Sequence, residues 1–267
     1  LKIFIEKMID YNERRVLSEL FEILRTLALP TIIVGAGARL LIFDRVFGEG
    51  RATKDWDIAV SIDSREAYEQ LRQSLIGGKS PHFKSTRILH KFIHIETDIE
   101  VDIVPFGKIG EPDQKIEWSD TDNIMNVAGF AEALSRARIE TIDDLKIPVI
   151  DIPAFVVLKI FAWGDRGDRT KKDLEDLEFI LSKYEDDERA YDELMEELAT
   201  SKIDLLDASV YLLGRDIYKM LQPKTFVELN TVLDKLIERF GDDEVGPLGY
   251  RLSILKKGIN SLSSSQT

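Results

Sequence analysis

An α+β core with a short mixed β-sheet flanked by helices, followed by an all-α C-terminal domain, is the fold class this sequence predicts. Three observations carry that prediction. Short β-branched or alternating runs are confined to the part before residue 150, helical periodicity takes over from about residue 153, and Pro148 and Pro153 bracket the change. The expected domains are therefore residues 1–150 and 151–267, within the size a chain of 267 residues allows.

Each element follows from its residues. Val16, Leu17, Leu20, Phe21, Leu24 and Leu27 recur at helical spacing and predict a helix over 11–28, which Pro30 stops. Thr31-Ile32-Ile33-Val34 predicts a buried strand. Gly35-Ala36-Gly37-Ala38 turns the chain, and Arg39 to Phe47 returns to helix-like composition. Trp56 to Ile62 reads as a second strand. Ser64 caps a helix over 65–76 that Gly77-Gly78 ends. Further strands are expected over 87–95 and 99–105, with Thr97-Asp98 a weak hairpin signal between them. Beyond Pro153 the periodicity predicts helices over 153–163, 170–183, 188–200, 204–221 and 225–240, and then a polar, frayed end from Ser261. Glu185 to Glu197 holds eight acids against one base, Arg189, and reads as a solvated helix face.

Composition narrows the function. With 44% hydrophobic and 32% charged residues, the chain reads as soluble and globular. No run of 18 apolar residues is present, so no membrane span is expected. The segment from Leu1 is too weakly apolar for a signal peptide, and the expected compartment is the cytoplasm. The absence of cysteine removes disulfides, thiolate nucleophiles and Cys-ligated zinc. His82, His90 and His94 leave little material for a His-rich metal site. A net charge of -13 argues against extended DNA binding, because phosphate neutralisation dominates such affinity.

Three features could carry chemistry: the strand–Gly35-Ala36-Gly37–helix turn, Asp55-Trp56-Asp57 entering a strand, and Asp102 between Val101 and Ile103. Strand alternation points Asp55 and Asp57 to one side. A carboxylate among buried strand residues is costly unless paired or metal-bound. Three converging carboxylates call for a divalent cation, and hard oxygen ligands select Mg²⁺ or Mn²⁺. Two such ions can clamp the attacking and leaving oxygens of a phosphoryl displacement. Backbone N–H groups of the glycine turn at a helix N-terminus would supply a phosphate site. Each feature alone has a plain structural alternative; their order in the chain is what joins them.

The run Val34-Gly35-Ala36-Gly37-Ala38, then Arg51-Ala52-Thr53-Lys54-Asp55-Trp56-Asp57-Ile58, then Val101-Asp102-Ile103-Val104-Pro105 resembles the DNA-polymerase-β-like nucleotidyltransferases. Arg-x-Thr-x-Asp-x-Asp is similar to the AbiEii/AbiGii-toxin branch, whose second hallmark is matched by Lys159, Ala162, Arg166 and Lys172-Asp173-Leu174-Glu175-Asp176. The resemblance spans roughly residues 30 to 180. It implies a nucleotidyltransferase core whose Asp55, Asp57 and Asp102 hold Mg²⁺ or Mn²⁺. Gly35, Ala36, Gly37, Lys159, Arg166, Asp173 and Asp176 would lie at the nucleotide, in a cleft between the domains. NTP would be the substrate, and an acceptor hydroxyl on RNA, tRNA, protein or a small molecule would take the NMP. An antitoxin protein would be a partner if the chain is the toxin of a toxin–antitoxin pair.

The residues leave two alternatives open. Members of that superfamily usually carry a Ser or Thr in the glycine turn, whereas Gly-Ala-Gly-Ala has no hydroxyl. The competing expectation is a non-catalytic module of the same fold that binds a nucleotide or a protein partner. The segment from Lys159 to Asp176 also reads as an intrahelical salt-bridge net. Separately, Gly164 and Gly167 are expected to break the helix that would put Lys159 and Arg166 on one face.

Overall fold

The computed structural model describes residues 9–44, 55–119, 123–169, 171–184, 186–240 and 247–263. Arg51 and Thr53 of the sequence motif lie outside the described residues. The residues up to Phe155 form one compact unit, and those from Val156 onward form another. No helix among the described residues is long and apolar enough to cross a membrane.

The first unit opens with α1 (Tyr11–Thr26), which starts on a capping box. The Asp10 carboxylate accepts from the Glu13 N–H and the Glu13 carboxylate from the Asp10 N–H, both at 2.8 Å, so two orphan donors are satisfied. Its Val16, Leu17, Leu20, Phe21 and Leu24 are buried as one stripe. β1 (Thr31–Val34) follows, then α2 (Gly35–Arg39), a π-helical turn over Leu40–Asp44, and β2 (Asp55–Ser61). α3 (Arg65–Ile76) begins where the Ser64 hydroxyl accepts from the Ala67 N–H and stops at Gly77. Then come β3 (Phe83–Ser85), β4 (Lys91–His94), β5 (Glu100–Phe106), β6 (Lys115–Trp118), β7 (Asn123–Asn126), α4 (Phe130–Ser135), β8 (Arg138–Ile142) and β9 (Leu145–Val149).

Seven strands form one mixed sheet in the order β3-β4-β5-β2-β1-β9-β8, and β6 and β7 pair separately. The pairs β2/β5 and β1/β9 are parallel; the other neighbours in the large sheet are antiparallel. The α+β class is therefore what the chain adopts, and the sheet is longer than expected because the β8–β9 hairpin adds to one edge and β3 to the other. The strand expected over 87–95 is shorter and has a partner before it. The Thr86 hydroxyl donates to the Ile88 carbonyl and accepts from the Ile88 N–H, at 3.1 and 3.0 Å. That local turn takes residues 86–90 out of the ladder and lets Phe83–Ser85 pair with Phe92–His94.

The second unit is helical. It holds α5 (Ile152–Arg166), whose first turn belongs to the first unit, then α6 (Lys172–Lys183), α7 (Asp187–Glu193), α8 (Met195–Ala199), α9 (Leu205–Met220), α10 (Pro223–Phe240) and α11 (Leu248–Ser261). Two expectations change. The helix expected over 188–200 is split at Leu194, which is fully buried with φ −122. Gly164 does not break α5; a Cβ there would meet Val232 at 3.1 Å, so the glycine answers a close packing contact, and the helix ends at Gly167 with φ +55. α9 and α11 cross backbone against backbone. A Cβ on Gly214 would lie 2.3 Å from the Leu255 carbonyl, and one on Gly258 2.1 Å from the Tyr211 carbonyl. The acid-rich stretch is tied down by Arg189, which bonds Asp186, Glu193 and Asp216 at 2.9–3.1 Å.

Candidate functional site

β2 and β5 run parallel in a register that sets Asp57 opposite Asp102 and Asp55 opposite Glu100. Alternate residues of a strand share a face. All four carboxylates therefore occupy one face, half-buried, while Trp56, Ile58, Val101 and Ile103 fill the other and are fully buried. The hydrophobic alternation fixes this register, since a slip of one residue would bury every acid. Adjacent strands lie about 4.8 Å apart, so like charges here stand directly opposite one another, a destabilising arrangement.

The glycine turn is built against the same residues. β1 is antiparallel to β2 and pairs Val34 with Asp57, so the chain leaves β1 beside that carboxylate. Gly35 has φ +59, and a Cβ there would fall 2.0 Å from Asp57 Oδ2. The Ala36 N–H donates to the same oxygen at 3.3 Å. Gly37 answers the intervening residue: a Cβ on it would come within 2.6 Å of the Trp56 ring. Gly35 thus makes room for Asp57 and Gly37 for Trp56, which packs beneath α2. The turn expected to hold phosphate has its Ala36 N–H directed to a carboxylate.

On β4, Lys91 pairs in register with Asp102. Its Nζ lies 2.7 Å from Glu100 and 3.1 Å from Asp102 Oδ1. Burial pushes the Asp102 carboxyl above the usual carboxylate range, against the pull of Lys91 and His90, and the charge of Asp55 adds to the rise. Burial pulls Lys91 down, but the Glu100 hydrogen bond and the Asp102 charge outweigh it and hold the ammonium above its ordinary value. Desolvated carboxylates beside further carboxylates are chemically suited to a hard divalent cation, and Asp55, Asp57 and Asp102 could hold it.

In the second unit, Lys159 lies 3.1 Å from Asp173 and 2.6 Å from Asp176, and Arg166 lies 3.5 Å from Asp173. Both carboxylates are nearly buried. Burial pulls Lys159 down, yet the charges of Asp176 and Asp173 raise it above its ordinary value. The structure therefore brings these four residues together as an ion-pair net between α5 and α6.

Sequence reasoning passed over Glu100, which alternates with Asp102 as Asp55 does with Asp57; that repeat of acid–apolar–acid was the available signal. The contact of Lys91 with Asp102 had none, because it depends on strand pairing. Trp118 is buried against Tyr68 and His90, and Trp163 stacks edge-on with Phe240, both as packing residues.

No protein-family model and no curated protein matches the chain. Among solved structures, the antibiotic-resistance factor ANT(2'')-Ia, described in solution with substrate-regulated conformation dynamics, aligns with a TM-score of 0.35. That alignment has 15% identity and covers 60% of this chain and 76% of that one. A likeness this shallow decides nothing about the site, whose reading rests on its own residues.

Proposed function

We propose that this chain is a divalent-metal-dependent nucleotidyltransferase that moves an NMP from an NTP to an acceptor hydroxyl. One observation carries the reading: Asp55, Asp57 and Asp102 converge on one face of a parallel strand pair, at the turn where Gly35 leaves room for Asp57. Mg²⁺ or Mn²⁺ held by those three carboxylates would neutralise charge on the triphosphate and on the leaving pyrophosphate. The acceptor oxygen attacks the α-phosphorus, the bond from that phosphorus to the bridging oxygen breaks, and pyrophosphate leaves. The hydroxyl proton would pass to Asp102 as the new bond to phosphorus forms. The acceptor classes are RNA or tRNA, protein, and small molecules, and a toxin acting beside an antitoxin is the finer form of the same reading. The Lys159 net of the second unit is assigned no step.

A second reading has its own observation. The turn lacks a hydroxyl and gives its Ala36 N–H to Asp57, which suits a non-catalytic module that binds a nucleotide or a protein partner. Label transfer separates the two. The protein is incubated with each α-labelled NTP, Mg²⁺ and either total tRNA or cell lysate, beside an Asp55→Ala/Asp57→Ala variant. Label on RNA, protein or a small molecule, reduced at least about 10³-fold in the variant, is the expected result. NTP binding without any transfer by the wild type would hand the case to the module.

A further inference from the structure

Outside the acidic face, Glu19 of α1, His82 just before β3 and His94 of β4 meet at one point. Glu19 Oε2 lies 2.6 Å from His82 Nδ1 and 2.9 Å from His94 Nε2. One ligand atom from each of the three residues falls within 4.8 Å of the others. The sheet makes this meeting possible: Phe83 pairs with His94, and the Ile95 N–H donates to the His82 carbonyl, so the residue leading into β3 is held beside the end of β4.

We infer that Glu19, His82 and His94 form a binding site for a Zn²⁺-class transition-metal ion that clasps α1 to the β3–β4 hairpin. Two imidazole nitrogens and one carboxylate oxygen are the donor set of an open, four-coordinate zinc site, with solvent as the fourth ligand. The neighbouring bonds fit that use. His94 is only 1% exposed, and its Nδ1 is bonded to the Thr97 hydroxyl at 2.9 Å, which fixes the ring and aims Nε2 at the site. Arg15 takes the other carboxylate oxygen, Oε1, at 2.8 Å and so leaves Oε2 to the histidines. The His82 side chain is half exposed, which supplies both an entry path and a ring free to adjust. Tetrahedral ligands roughly 2.0–2.1 Å from zinc stand roughly 3.4 Å apart, so binding needs Glu19 Oε2 to withdraw slightly and the His82 ring to swing inward. The site shares no residue with Asp55, Asp57 and Asp102, and the inference stands independently of the transferase reading.

The test uses the full chain, stripped with a chelator and titrated with Zn²⁺ by calorimetry. Co²⁺ serves as a spectroscopic reporter of tetrahedral nitrogen and oxygen ligation. Wild type, His82→Ala, Glu19→Gln and Asp55→Ala/Asp57→Ala are compared, with circular dichroism confirming that each is folded. The expected result is one Zn²⁺ per chain and a rise in melting temperature with added Zn²⁺. Both effects persist in the Asp55→Ala/Asp57→Ala protein and weaken about 100-fold in His82→Ala and Glu19→Gln. Absence of Zn²⁺ binding, or binding that both folded ligand variants retain, would overturn the inference and leave the cluster as a pair of imidazole–carboxylate hydrogen bonds.

Discussion

Two charged clusters in this chain have the same ingredients and respond differently to their own charge. On the sheet, Asp55, Asp57, Glu100 and Asp102 share two cross-strand rows with Lys91. Between α5 and α6, Lys159 and Arg166 meet Asp173 and Asp176, charge for charge. Each cluster holds a lysine above its ordinary value, Lys91 on the sheet and Lys159 between the helices, but the sheet also holds a carboxyl above its own, and that elevation means something different. For Lys159 the rise favours the charged form, so folding is helped by ionisation. For Asp102 the rise favours the neutral form, so folding is hindered by ionisation. A net in which ionisation helps folding serves the fold, whereas a cluster with a carboxyl that resists its own charge invites a cation.

The helical net should therefore fail most when one side is removed. Lys159→Ala leaves Asp173 and Asp176 nearly buried without their main cation, and should cost about 3–5 kcal/mol in denaturant unfolding. Lys159→Met with Asp173→Asn and Asp176→Asn should recover much of that loss. If the single variant is neutral, the net is not what joins α5 to α6. The sheet cluster should break next at its turn. Gly35→Ala must place a Cβ where Asp57 Oδ2 now lies, at a φ of +59. A loss of about 1–3 kcal/mol in stability and about 10²-fold in label transfer is expected, since the carboxylate must move by the width of a methyl group. Full transfer activity in Gly35→Ala would show that the position of Asp57 does not matter.

What could be read in advance follows the range of the interaction. α3 begins at Ser64 and ends at Gly77 as the sequence implied, because cap and stop are local. β1, β2 and β5 were legible from β-branched and alternating runs, and with them the three aspartates. The β8–β9 hairpin was not: its turn is Asp143-Asp144, without glycine, and Asp143 takes φ +53 with its carboxylate on Arg14 of α1. Ile139 adds a misleading signal, since it lies on the strand at 60% exposure. α11 escaped because its inner face is partly glycine, and Gly258 shows its purpose only against the Tyr211 carbonyl. The lysine at Asp102 and the two histidines at Glu19 are cross-strand or cross-element neighbours, and no spacing along the chain encodes them.

The smallest expected effect is the most specific. Asp102→Asn keeps the shape of the side chain and removes the charge that burial resists. A carboxyl raised in the folded state contributes stability below its unfolded value, and that contribution is lost as pH rises through the folded value. Once pH has risen through that value, Asp102→Asn should stabilise the metal-free protein, on the order of 1 kcal/mol. Lys91 keeps its 2.7 Å bond to Glu100, so the substitution does not strand that ammonium. Towards acid the advantage should shrink, as the wild-type carboxyl takes up its proton. Mg²⁺ should stabilise the wild type and leave the variant nearly unchanged, because a divalent cation needs the ionised ligand. Thermal melts of both proteins between acid and neutral pH, with and without Mg²⁺, measure all of this at once. A variant less stable than the wild type without metal across that whole range would mean that the sheet cluster is as self-sufficient as the helical one.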